Sequence, residues 1–395
     1  MNIYESLGVR TIINAKGTAT RLSGGRMRPE IGEAMLAASQ LCVDIAELQA
    51  AASLQIAAAT GAEAGYVASG ASACLLLAAA ACMAGLNPGR MARLPDTGGM
   101  NSQVIMVRSQ RNGYDHAIRA SGASLIEVGL PDRFAGAGVR DAQSWEIEDA
   151  ITGQTAAIFY VADEQAQPPL AAVTEIARRH GVPVIVDAAA QLPPASNLRR
   201  FIAEGADLVA FSGGKVLGGP QASGFLCGRR DLIMSVALQH LDLDVYEDMW
   251  APPPSLIDRS QLVGMPPHGI GRSCKAGKEE IVGLLVALKL FQSETDAGRH
   301  AAWLARLQPI EAAVRDNDRV KTSIEHAGDT SKIPLLTVTL GDGDIRQLIG
   351  DLIHLTPSIH VDAGRRDANM LAINPVCFWD EDIPAIIGGL HNQLR

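Results

Sequence analysis

Apolar residues fall along this chain in short runs that alternate with helical stretches. From Ala64 onward the runs are VIMV (Val104 to Val107), SLIEVG (Ser124 to Gly129), AAIFYV (Ala156 to Val161), VPVIVD (Val182 to Asp187) and DLVAF (Asp207 to Phe211). They are apolar almost throughout rather than at every second position, which marks strands buried on both faces. The alternation predicts an α/β fold with a mostly parallel sheet covered by helices on both sides.

Ahead of this region a short strand (Thr11 to Ala15) enters the glycine-rich loop GTATRLSGGRM. A helix from Pro29 to about Cys42 carries proline in its first turn, and a second helix runs from Ile45 to Thr60. After Gly219 the pattern loosens. The Pro-rich stretch MWAPPPSLIDRSQLVGMPPHGIGR leads into an amphipathic helix from Lys278 to about Glu294. Beyond it come a helix near Ala301 to Asp316, strand Pro334 to Leu340, helix Ile345 to Ile353, strand Ala368 to Val376 and a closing helix from Ile383 to Leu394. The predicted organisation is an arm (1–30), a large domain (31–268) and a smaller α+β C-terminal domain (269–395).

Composition narrows the class. The chain has 395 residues, 47% hydrophobic and 19% charged, with a net charge of −9. The sequence pI is near 5.5 and the mean hydropathy is +0.11. An acidic chain of this kind argues against a broad nucleic-acid footprint. The six cysteines form no CxxC pair, so neither a disulfide framework nor a zinc site is expected. The first residues, MNIYESLGVR, lack an apolar signal core, and the longest apolar run, Ala73 to Ala84, falls short of the ~20 residues that span a bilayer. The expected setting is cytoplasmic, with no membrane partner.

Three stretches carry the chemistry. In FSGGK, a strand runs into Ser212, two glycines and Lys215, which presents an amine on a tight turn at a strand end. In VPVIVDAAAQ, Asp187 closes a β-branched strand, so its carboxylate emerges at the carboxyl edge of the sheet, where such sheets bind ligands. One helix and one strand fit between the two residues, which places them on neighbouring strand ends. This is the pair that pyridoxal phosphate (PLP) requires: a lysine to form a Schiff base with the aldehyde, and a carboxylate to keep the pyridine nitrogen protonated. In VASGASACLLLAAAACMAG, Ser69, Gly70, Ala71 and Ser72 lead into an Ala/Leu helix whose unpaired amides and positive dipole end suit the cofactor phosphate.

Other residues have a choice of roles. His116, or alternatively Tyr114, stands where a side chain would stack on a planar cofactor. Gln191 is placed to reach the cofactor's phenolic oxygen, and Ser212 to contact the phosphate. Arg272, Lys275 and Lys278 form a candidate anion site. Together with Arg21 and Arg26 in the arm, they supply more cations than one phosphate and one carboxylate need. The surplus suits a substrate with a second anionic group, such as a phosphorylated sugar acid.

The blocks INAKGTATRLSGGRM, TGAEAGYVASGASA, RNGYDHAIRASGA, VIVDAAAQLPP, FSGGKVLGGPQASGFLCG and GIGRSCKAGKEEIVGL resemble the aspartate-aminotransferase superfamily of PLP enzymes (fold type I). Within it they resemble the selenocysteine-synthase-like branch that includes D-glucosaminate-6-phosphate ammonia-lyases. The resemblance implies an aspartate-aminotransferase-like large domain with a sheet of the seven-stranded type. It implies Lys215 as Schiff-base lysine, Asp187 as pyridinium partner, and Ser69 to Ser72 and Ser212 as phosphate contacts. It also implies a homodimer with shared active sites, in which Arg272 reaches the neighbouring subunit's cofactor phosphate. Selenocysteine synthases carry an additional N-terminal domain for tRNA, whereas this chain starts almost at once with the catalytic core, so a small amino acid or amino sugar acid is the expected substrate. The expected reaction is a lyase elimination giving a 2-oxo acid and ammonia, with racemization, aldol cleavage and selenium or sulfur transfer as alternatives. A fold-only binding protein would need Lys215 or Asp187 to be missing, and both are present.

Overall fold

A computed structural model describes residues 2–130 and 141–394. Its strands are β1 (Ile12–Ala15), β2 (Ala64–Ala68), β3 (Gln103–Val107), β4 (Ser124–Val128), β5 (Thr155–Val161), β6 (Val184–Asp187), β7 (Leu208–Ser212), β8 (Gly224–Gly228), β9 (Val320–Glu325), β10 (Leu335–Leu340), β11 (Ser358–Val361) and β12 (Met370–Ile373). Seven of them form one sheet in the order β2-β8-β7-β6-β5-β3-β4. The pairs from β7 through β4 are parallel, as the continuous apolar runs predicted, whereas β8 runs antiparallel to both β7 and β2. The connection from β7 to β8 contains no helix, and without a crossover the chain can only return antiparallel.

The structure divides into two compact units, one comprising residues 29–192 and 196–289, the other residues 1–28, 193–195 and 290–395. The first unit holds the seven-stranded sheet. The division at Leu290 falls inside the Lys278–Ser293 helix, not at the 268/269 boundary suggested by composition. The proline-rich stretch is not a linker, because Trp250, Leu256 and Ile257 are buried in the core of the sheet unit. That core is built on the Ala71–Ala84 helix, whose small side chains let it lie close over the strands.

The layers lie close together: a Cβ at Gly65 of β2 would come within 2.3 Å of Ile56 Cγ2. The edge strand β2 is covered by the Ile45–Thr60 helix: Gln49 donates Nε2 to Val67 O at 2.8 Å and accepts from Val67 N–H at 3.1 Å, and Ser53 Oγ accepts from Gly65 N–H at 3.0 Å. These side chains stand in for a missing neighbour strand and satisfy the open edge.

In the second unit, β1 pairs in parallel with β11, and β9, β10 and β12 form an antiparallel sheet in the order β12-β10-β9. The helices Asp296–Val314, Ile345–His354 and Ile383–Gln393 complete it around an apolar core that includes Leu307, Leu336, Leu352 and Phe378.

Candidate active site

Asp187 ends β6 and lies in register with Val161 of β5 and Ala210 of β7. Lys215 follows the end of β7 on a closed turn. Gly213 N–H donates to Ser223 O, Gly219 N–H to Gly213 O, and Gly218 N–H to Lys215 O, each at 2.9 Å. A Cβ at Gly213 would lie 2.2 Å from Ser223 Oγ, so the turn closes only without a side chain there. The spacing of the sequence therefore puts the carboxylate and the amine on adjacent strand ends.

Burial governs both groups. It pushes the Asp187 carboxyl above its ordinary pKa, against the Ala189 N–H bond at 3.0 Å and the Lys215 charge that pull it down. The same cause pushes Lys215 below the ordinary lysine value, partly offset by Asp187. A lysine so shifted offers a free amine at a higher fraction of molecules near neutral pH, which a nucleophile and base needs.

On the other side, β2 delivers the chain to Gly70, which caps the Ala71–Ala84 helix at φ 112° and with no side-chain capping bond. The amides of the first turn are thus left for an external acceptor. Gly224 of β8 sits behind them; a Cβ there would meet Ala71 N and Gly70 C at 2.6 Å. A desolvated carboxylate, a half-buried amine and an uncapped helix start with a Gly-lined back wall fit PLP, whose pyridinium, aldehyde and phosphate each need one of them.

The remaining expected residues are less uniform. Ser212 closes β7, half-buried, and His116 is exposed on the first turn of the Asp115–Ala120 helix, with Tyr114 also exposed. Gln191 donates Nε2 to Ala162 O at 2.7 Å, so one of its two amide protons holds the exit of β5. Arg272 donates to His240 O and pairs with Asp242, both at 3.0 Å, while Lys278 pairs with Glu279 and Lys275 is exposed. The expected cluster of three cations is therefore partly neutralised by its own neighbours. Arg26 corrects the reading further: it pairs with Glu381 at 2.6 Å and with Asp382, over the Trp379 ring. Its charge is spent inside its own unit. Arg21 is exposed, and with Arg10 it holds the half-buried His360 imidazole below its usual pKa, after burial itself.

One residue was not anticipated. Gln110 accepts Val161 N–H through Oε1 at 2.9 Å, and its Nε2 is buried with no hydrogen-bond partner in the structure. It thus brings an unused donor to the end of β5, beside the strand that carries Asp187. No local signal in RSQRNG distinguishes it, because the contact depends on β3 and β5 being neighbours.

The family described as SelA, L-seryl-tRNA selenium transferase, matches residues 113–245. The 5'-C-glycyluridine monooxygenase-decarboxylase of a Streptomyces species is 33% identical to this chain over 350 residues, which cover 85% of the chain and 77% of that protein. D-glucosaminate-6-phosphate ammonia lyase of Salmonella typhimurium is 32% identical over 321 residues, covering 79% and 75%. Among solved structures, that of a D-glucosaminate-6-phosphate ammonia-lyase matches with a TM-score of 0.81 at 26% identity, covering 100% of this chain and 98% of the other.

Proposed function

The chain belongs to the selenocysteine-synthase-like (SelA-like) family of PLP-dependent enzymes of fold type I, and from that premise we propose a lyase that removes ammonia from a small hydroxylated amino acid or amino sugar acid to give a 2-oxo acid. The observation that carries the reading is the Asp187 and Lys215 pair on adjacent strand ends, both desolvated, opposite an uncapped helix start. The likeness of the chain to an ammonia lyase over three quarters of both proteins supports the reaction type.

Bound there, PLP supplies an electron sink for the electron pair released at the substrate Cα. Lys215, as a free amine, takes the Cα proton and can return a proton to the departing β-hydroxyl, which leaves as water. Asp187 holds the proton on the pyridine nitrogen. The first-turn amides of Ala71 and Ser72 hold the phosphate. Water then hydrolyses the released enamine to the 2-oxo acid and ammonia, so that the net change is loss of ammonia alone. A second reading, oxidative loss of CO2 from a glycyl-type group, is favoured by the 33% identity to the Streptomyces monooxygenase-decarboxylase. It would use the same residues and consume oxygen.

The proposal includes a cytoplasmic homodimer. Leu36, Leu41, Val43 and Leu54 expose large apolar surfaces on and between the two helices before β2, as a covered interface would require. Among the described residues no helix is long and apolar enough to cross a membrane.

The test has two parts. Borohydride treatment of the PLP-loaded protein should fix a pyridoxyl group on Lys215, and recovery on another lysine would reject the site. A panel of hydroxylated D- and L-amino acids, phosphorylated and not, should then yield oxo acid and ammonia; oxygen uptake with CO2 release would select the second reading. If the substrate has a second anion, Arg21→Glu should raise KM for phosphorylated members far more than for the others. Equal effects would end that part of the proposal.

A further inference from the structure

A buried polar chain lies behind the uncapped helix start. Tyr66, on β2, is 1% exposed, and its hydroxyl lies 2.8 Å from Nδ1 of His240, the last residue of the Arg230–His240 helix and itself 2% exposed. On the far side of the ring, Nε2 lies 3.0 Å from Cys274 O. A backbone carbonyl can only accept, so Nε2 carries the proton, Nδ1 is bare, and the Tyr66 hydroxyl donates to it. Two partners fix one tautomer.

The Cys274 carbonyl also accepts the Ser69 N–H at 3.1 Å, which is the first residue of the candidate phosphate loop. The carbonyl of His240 in turn accepts Arg272 Nη1 at 3.0 Å. One histidine therefore touches both the carbonyl that holds the loop and the arginine that the sequence assigned to an anion. Glycines seat the intervening backbone: a Cβ at Gly269 would lie 2.6 Å from Gln239 Cα, and one at Gly271 would lie 2.7 Å from Gln239 O. The 3-10 turn Ile270–Cys274 thus rests directly on the end of the helix that carries His240.

Chemistry supports a neutral, fixed ring. Burial, with the Arg272 charge added, drives His240 down to about 4, and burial holds the Tyr66 hydroxyl protonated. A polar string of this kind in an apolar core costs desolvation that two packed hydrophobes would avoid; what it supplies in exchange is fixed geometry.

We propose that Tyr66 and His240 are positioning residues that set the Ser69–Ser72 loop and the Arg272 guanidinium in the geometry that an anionic cofactor phosphate requires. The inference rests on the PLP reading given above. It differs from that reading in predicting a dependence on the phosphate specifically, because the string touches the loop and the arginine and not the Asp187 and Lys215 end.

The experiment titrates the ligand-free full chain with PLP and, separately, with pyridoxal, which lacks the phosphate, following the visible absorbance, and records Tm for each ligand-free protein. His240→Leu and Tyr66→Phe should weaken PLP binding while leaving pyridoxal binding unchanged. The loss for Tyr66→Phe should be about 2- to 12-fold, the range that one net hydrogen bond spans, and larger for His240→Leu. His240→Gln keeps an N–H for the Cys274 carbonyl and should recover most of the loss. If His240→Leu does not fold, Tyr66→Phe and His240→Gln carry the test. Equal loss for both ligands, or a lower Tm with unchanged PLP affinity, would reduce the string to core packing and overturn the inference. Should the wild-type chain take up neither ligand, the cofactor reading falls and this inference with it; should it bind PLP and the variants bind it equally well, only this inference falls.

Discussion

A carboxylate and an amine that burial drives toward their neutral forms are poorly placed as a structural salt bridge and well placed to receive a ligand that is positive where one sits and electrophilic where the other does. Asp187→Asn should therefore leave the fold intact and lower turnover by roughly 10- to 1000-fold, the factor that corresponds to the 1–3 pKa units a facing carboxylate is worth to a cationic partner. Steady-state rates beside Tm would separate this from a structural role, in which Tm falls and the rate per folded molecule holds. His240 makes a second prediction, in which the sign follows from protons. Its folded pKa of about 4 lies below the ordinary unfolded value of about 6.5, so the unfolded chain binds more protons between those values. The stability owed to the neutral ring is full above pH 6.5 and is lost as pH falls toward 4, a change of order 3 kcal/mol. Urea unfolding at pH 7.5 and 4.5 should show a smaller acid loss in His240→Gln than in the wild type.

At the scale of elements, the strands differ in how far they could be read in the sequence. The strands β3, β5, β6 and β7 were visible as apolar runs, because burial on both faces leaves no room for polar positions. The strands β8, β9 and β11 were not, since GFLCG is short and glycine-bounded, and VKTSIE and SIHV carry polar residues at partly exposed positions. The Arg230–His240 helix was missed for a different reason: buried through most of its length, it shows no polar face to mark a helical period. The two catalytic candidates were legible because each is defined by its position on a strand end. Gln110 and His240 were not, because their partners are more than thirty residues distant in sequence. The cover over β2 gives a further test. A Cβ at Gly65 would lie 2.3 Å from Ile56 Cγ2, so Gly65→Ala should cost about 1–3 kcal/mol in denaturant unfolding, as overpacking does.

On the scale of the whole molecule, the exposed leucines on and between the first two long helices give the assembly prediction. Leu41 and Leu54 are 68% and 61% exposed, a costly arrangement for a protomer that stays alone. Replacing both by glutamate should convert the sedimenting species from dimer to monomer, whereas an unchanged mass would place any interface elsewhere. The second unit has its own consequence, which concerns time. It is assembled from both ends of the chain, and β1 pairs residue for residue with β11, Ile12 with Ser358 through Ala15 with Val361. About 350 residues separate the two strands, so on a ribosome roughly 20 to 70 s pass between their emergence at ordinary elongation rates. During that interval Ile13 and Ala15, buried in the finished protein, have no partner strand, while the sheet that carries Asp187 and Lys215 has already been made in full. Newly made chains stalled near residue 300 should present a protease-resistant sheet unit and a protease-sensitive N-terminus, and the arm should become protected only once synthesis passes β11.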